Sequence, residues 1–185
     1  GNPPTMPGQD AADSTTTDDT TDKPPLLLIT GGEITVNADG DGLDSNGNLR
    51  VEGGDITVNG PSNGGNGALD IGTENGGEGV IAGGTLIALG ASSMAENFGS
   101  TSTQCAFLVT MNSFGAGETI TITDSQGTVL YTGVTVKSAN SVVFSSADLV
   151  VGETYTVTIG SNSATVTQSS TVVGNSNGFG GFGRH

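Results

Sequence analysis

Tryptophan is absent from the 185-residue chain, cysteine and histidine occur once each, and Lys and Arg together number four. The missing Trp, with Tyr only at 131 and 155, leaves no aromatic platform for stacking a neutral sugar ring. Four basic side chains face nineteen acidic ones, for a net charge of −15. Phosphate backbones demand a basic surface, so this balance argues against nucleic acid and against insertion into an anionic membrane. An acidic protein can still hold an acidic polymer when divalent cations bridge the carboxylates. Cys105, alone in the apolar run QCAFLV, forms no intrachain disulfide and reads as a small core residue. His185 stands at the last position, away from any catalytic pattern. No apolar run is long enough to span a bilayer, and no leader peptide is visible. Gly1 in place of Met reads as a processed chain, which is compatible with an extracellular or cell-surface location.

What the chain has instead is glycine, 32 residues of it, together with abundant Thr, Ser and Asn. Only 33% of residues are hydrophobic and 4% aromatic, too little for a thick core of large side chains. Short strands joined by tight turns suit this composition, because Gly supplies the positive φ angles that turns require. An all-β class follows.

Internal repetition is the strongest pattern. ITGGEITV at 29–36, VEGGDITV at 51–58 and IAGGTLIA at 81–88 share an apolar residue, a Gly pair and an alternating strand. The Gly pairs begin at 31, 53 and 83, and DGLD at 41–44 is echoed by GALD at 67–70. Units that repeat in this way stack as a solenoid, each burying a few aliphatic side chains on the next. The expected fold is a short right-handed parallel β-helix of about three coils over residues 26–103. A meander of hairpins with similar turns is the competing reading. Over 104–169, runs such as ETITITD, GTVLYTGVTV and ETYTVTIG alternate with turn signals and read as a small antiparallel sandwich or sheet. It would cap the last coil and cover its strand edges. Residues 1–25 form an acidic, Pro-flanked tail carrying five Asp, and 170–185 a Gly/Phe-rich tail, both expected to be flexible. Leu26, Leu27 and Leu28 begin the first coil with no polar cap before them. That end, with the N-terminal tail, is a candidate for contacts between copies of the chain.

The sequence ITGGEITVNADGDGLDSNGNLRVEGGDITVNGP, then GNGALD and IAGGTLIALGASSMA, then ETYTVTIG, carries a resemblance over roughly residues 26–168. It resembles the C-terminal portion of a bacterial cell-surface family of calcium-binding parallel β-helix proteins that bind carbohydrate. The resemblance implies an acidic, uronate-type plant polysaccharide as ligand, Ca²⁺ as cofactor, and further coils upstream of this region.

The acidic stretch ADGDGLDSNGNL at 38–49 offers Asp39, Asp41, Asp44 and Asn46 among glycines that free the backbone. Calcium takes six to eight oxygens from carboxylates, carbonyls and water. An EF-hand loop starting at Asp39 would need Glu where Arg50 stands, and one starting at Asp44 would need Gly where Leu49 stands. GGNGALD is one residue too long for a calcium β-roll repeat and does not recur. The solenoid supplies another geometry. Asp44 and Asp70 would stack on adjacent coils at the spacing of paired strands, about 4.8 Å. Asp41, with the Asn46 or Asn66 amide oxygens, would add to the shell, and Leu43 and Leu69 would point inward to hold the turns. The plainer alternative is that these residues only make turns, capping their own backbone.

Catalysis finds little support. A polysaccharide lyase would need a base, for which Arg50 is the one candidate, and Arg50 more simply pairs with Asp44 or Glu52. The expected function is a non-catalytic extracellular module that binds Ca²⁺ and acidic polysaccharide. The alternative is a self-assembling filament or matrix subunit that polymerises through its open coil end and tails.

Overall fold

The computed structural model describes residues 23–174; the sequence-based expectations for 1–22 and 175–185 lie outside the described residues. The chain is an all-β domain that combines parallel and antiparallel sheets.

Its first half winds past the same three faces repeatedly. The first winding contributes β1 (Leu26–Ile29), β2 (Glu33–Asn37) and β3 (Leu43–Asp44). The second adds β4 (Asn48–Val51), β5 (Asp55–Asn59) and β6 (Leu69–Asp70). The third adds β7 (Gly79–Ile81) and β8 (Thr85–Gly90). Each strand pairs in parallel with its counterpart one winding later, which a meander of hairpins cannot do. The registers reproduce the sequence repeat: Ile29 pairs with Val51 and Val51 with Ile81, and Glu33 pairs with Asp55 and Asp55 with Thr85.

The recurring Gly pairs explain themselves at the corner between the first and second strands of each winding. Gly32, Gly54 and Gly84 take φ values of 92°, 102° and 82°, where a β-carbon is strained. Their stacking is also tight, since a Cβ on Gly84 would meet Gly53 C and Gly54 O at 2.7 Å. Inside, Ile29, Val51 and Ile81 form one column and Ile34, Ile56 and Leu86 another, joined by Leu49, Leu69 and Ile71.

After Gly90, residues 91–105 cross the end of the third winding. The Thr103 and Gln104 amides donate to the Ile81 carbonyl, and the Gly99 amide donates to the Gly79 carbonyl. Seven further strands follow. They are β9 (Ala106–Phe114), β10 (Thr119–Thr123), β11 (Val129–Val134), β12 (Ala139–Ser145), β13 (Thr154–Ile159), β14 (Asn162–Thr167) and β15 (Val172–Val173). The last falls in the segment read from sequence as a tail; it adds in parallel to β9.

The two halves share one sheet. Strands β15-β9-β12-β8-β5-β2 form a six-stranded sheet, and β11-β10-β13-β14 a four-stranded antiparallel one. Alternation sends successive β8 side chains to different interiors. Leu86 and Ala88 join the core of the windings, while Ile87 and Leu89 join a second core with Phe107, Phe144, Ile122 and Tyr155. Strands β9 and β12 divide in the same way, Leu108 and Val143 facing one core and Phe107 and Phe144 the other.

Candidate metal centre

The third face positions the acidic turn. Gly42 precedes β3, and a Cβ there would collide with the Ala68 carbonyl oxygen, so only Gly lets the two windings approach this closely. Leu43 and Leu69 pair in register, both buried, and anchor the strands from inside. Their neighbours Asp44 and Asp70 then pair on the outer surface. Asp41, Asp44 and Asp70 each present a carboxylate oxygen within 4.8 Å of the other two, a cluster able to coordinate a divalent cation.

Local hydrogen bonds fix these side chains. Asp41 Oδ1 accepts from the Gly67 amide at 2.8 Å, tying the first winding to the second. Asp44 Oδ1 accepts from the Asn46 amide at 3.1 Å, in a turn that holds Asn46 at φ 47°, a left-handed conformation that Asn tolerates. Ser45 Oγ donates to the Gly47 carbonyl at 3.0 Å and lies 3.3 Å from the Asp70 carbonyl.

The electrostatics match the crowding. Partial burial, followed by the charges of Asp41, Asp44 and Glu74, pushes the Asp70 carboxyl above its usual range. A cation held among the three carboxylates would offset that repulsion. Glu96 extends the field. Its carboxylate accepts from the Ile71 amide at 2.6 Å and from Thr73 Oγ1 at 3.2 Å. Burial raises its pKa, with smaller contributions from Asp70 and Glu74.

Of the six residues that sequence reasoning assigned to a cation, the structure brings three carboxylates together. Asp39 lies elsewhere: its carboxylate pairs with Lys137 Nζ at 3.2 Å, and the same ammonium donates to the Ala38 carbonyl at 2.8 Å. Asn46 follows Asp44 by two residues and is exposed, and half-buried Asn66 immediately precedes the amide that binds Asp41. Glu96 was not anticipated. In ASSMAENFG it is a lone carboxylate with no spacing signal, and only the crossing of 91–105 over the third winding brings it to Asp70.

The second winding also gives the site an irregular frame. Between windings one and two the offset is 22 residues at Glu33–Asp55 and 26 at Leu43–Leu69; between windings two and three it is 30 at Leu49–Gly79. The longer second winding thus carries its extra residues on either side of β6. Gly67, Thr73 and Glu74 all come from these longer connections, so the departure from strict repetition surrounds Asp70.

Other singled-out residues have structural partners. Arg50 Nε pairs with Glu52 at 2.5 Å. Tyr155 is buried and stacks on Phe107 at 6.3 Å between ring centroids, its hydroxyl accepting from the Val150 amide at 2.8 Å. Half-buried Tyr131 packs against Phe144 at 5.6 Å. Cys105 is partly buried against the second core, where burial raises its thiol pKa. A cleft of about 260 Å³ is lined by Ser62, Ser92, Ser113, Ser138 and Asn140, among others, and holds no titratable side chain. Among the described residues, no helix is long and apolar enough to cross a membrane. No family model, no curated protein and no solved structure matches the chain.

Proposed function

We propose that the chain is a non-catalytic extracellular module, a short parallel β-helix capped by a β-sandwich, that binds Ca²⁺ and through it an acidic, uronate-type polysaccharide. The observation that carries this reading is the meeting of Asp41, Asp44 and Asp70 from two windings, their carboxylate oxygens within 4.8 Å. A hard cation with oxygen preference suits three carboxylates on an open surface, and water and sugar carboxylates would complete its shell. A uronate polymer repeats such carboxylates along its length, so a protein-bound ion is shared rather than enclosed. The protein's charge of −15 would otherwise repel that polymer. The rarity of aromatic side chains also favours ion-mediated over stacking recognition. The resemblance to calcium-binding β-helix surface proteins points the same way.

The test is calorimetric titration with Ca²⁺, alongside retention on polygalacturonate with and without chelator. Asp44→Asn keeps an acceptor for the Asn46 amide while removing one of three charges, and is expected to weaken Ca²⁺ binding by about tenfold or more. Asp70→Ala should abolish the melting-temperature gain with Ca²⁺. Retention that ignores both chelation and these substitutions would sink the proposal.

A further inference from the structure

In an Asn–Gly pair the glycine nitrogen can reach the side-chain amide before it, because no Cβ on the glycine stands in the way. The described residues contain five such pairs: Asn46–Gly47, Asn59–Gly60, Asn63–Gly64, Asn66–Gly67 and Asn75–Gly76. The dipeptide alone ranks them equally, but the fold occupies four of the glycine amides. The Gly60 amide donates to the Leu89 carbonyl at 2.8 Å, beside a buried Asn59. The Gly67 amide donates to Asp41 Oδ1 at 2.8 Å, and the Gly76 amide to the Thr73 carbonyl at 3.1 Å. Gly47 is buried, and its amide donates to Ser45 Oγ at 3.3 Å.

Asn63–Gly64 differs in three respects. Asn63, Gly64 and Gly65 are all exposed, in the connection between β5 and β6. Among the described residues, no group accepts from the Gly64 amide. The bonds that fasten this connection leave that amide alone: Ser93 Oγ donates to the Gly64 carbonyl at 3.4 Å, and Ser62 Oγ to the Ser138 carbonyl at 2.9 Å. Third, Asn63 Oδ1 accepts from the Gly65 amide at 3.2 Å. That bond folds the Asn63 side chain forward along the chain. It also aims a donor at the oxygen on which negative charge develops when the side-chain carbon is attacked.

We propose that Asn63 is a modification site, at which the folded chain converts this asparagine to aspartate or isoaspartate with water as the only co-reactant. The Gly64 nitrogen gives up its proton to solvent and bonds to Asn63 Cγ. The Cγ–Nδ2 bond breaks, and the departing nitrogen takes a proton from water and leaves as ammonia. Water then opens the five-membered succinimide. Addition at Cγ restores the peptide bond and gives aspartate. Addition at the Asn63 backbone carbonyl carbon breaks that bond instead and leaves Gly64 joined through Cγ, as isoaspartate. The Gly65 amide takes no part in the bonds that form and break; it holds the carbonyl and stabilises the charge on its oxygen. Either product puts a carboxylate where an amide stood and takes the net charge further below zero than −15. The proposal does not depend on any cation or polysaccharide.

The test is incubation of the full chain in mildly alkaline buffer made with heavy-oxygen water, followed by peptide mapping by mass spectrometry. In the folded chain, label should enter at residue 63 about tenfold or more ahead of residues 46, 59, 66 and 75, whose glycine amides must first be freed by local opening. In denaturant the five positions should convert at comparable rates. Gly65→Pro removes the donor to Asn63 Oδ1 and leaves the reacting atoms in place; it should slow conversion at Asn63 by about tenfold. Gly65→Ala keeps the amide, and its Cβ would lie at an ordinary 3.5 Å from Asn63 Oδ1, so the rate should be unchanged. Circular dichroism would confirm that both variants fold. Equal rates at the five positions in the folded chain, faster conversion at Asn46 or Asn75, or a Gly65→Pro rate like that of the wild type would each overturn the proposal.

Discussion

Asp124 shows how one acceptor organises a whole turn. Its Oδ1 accepts from the Gln126 and Thr128 amides, each at 2.9 Å, while Gly127 at φ 81° completes the connection between β10 and β11. The bond from the Thr128 amide is the main reason its carboxyl pKa is lowered. A carboxylate whose pKa falls on folding contributes stability above its unfolded value, and that contribution is lost as pH drops through the folded value. Asp124→Asn retains an acceptor without the charge. The melting temperature of the wild type should exceed that of Asp124→Asn near pH 6, and the gap should close below about pH 4. A gap that is constant with pH would mean the charge is irrelevant. The residue scale is also where the sequence was least informative. That Asp44 lies beside Asp70 could be read from DGLD and GALD, but that Asp39 turns to Lys137 could not, since the two are 98 positions apart. Glu96 was illegible for the same reason: a long-range partner has no spacing to betray it.

At the scale of elements, β8 is where the two halves of the molecule become one. Leu86 and Ile87 are adjacent in sequence, nearly inaccessible, and belong to different cores. Truncating either to Ala should cost about 2–5 kcal/mol, the usual price for a buried aliphatic side chain. Because one strand carries both, each variant should lower a single cooperative transition, by calorimetry and by circular dichroism alike. Two separated transitions in the Leu86→Ala variant would show that the windings melt alone. The sequence showed the repeats well, since Gly pairs and apolar columns recur at offsets that the parallel registers reproduce. It did not show the shared sheet. Alternating runs after residue 105 signal strands, but nothing local says that β12 will insert between β8 and β9.

For the molecule as a whole, charge and topology pull in different directions. A net charge of −15 is spread over a chain with one described Lys–Asp pair and one Arg–Glu pair. Such self-repulsion is screened by salt and is strongest where carboxylates crowd, as at Asp70. The compact state is held against it by two aliphatic and aromatic interiors on either side of one sheet.

That sheet sets a clock as well as a shape. Strand β12 has neighbours on both edges, and Val142, Val143 and Phe144 are shielded above and below by different interiors. Their amides point to β8 or β9 and lie under side chains on both faces, so the openings that expose them are expected to be the largest the molecule makes. Deuterium uptake should therefore be slowest at these three amides and limited by global unfolding, while β2 exchanges orders of magnitude sooner, as measured by hydrogen-exchange mass spectrometry or NMR. The buried middle strand would then report the lifetime of the whole fold, one amide standing for the entire chain.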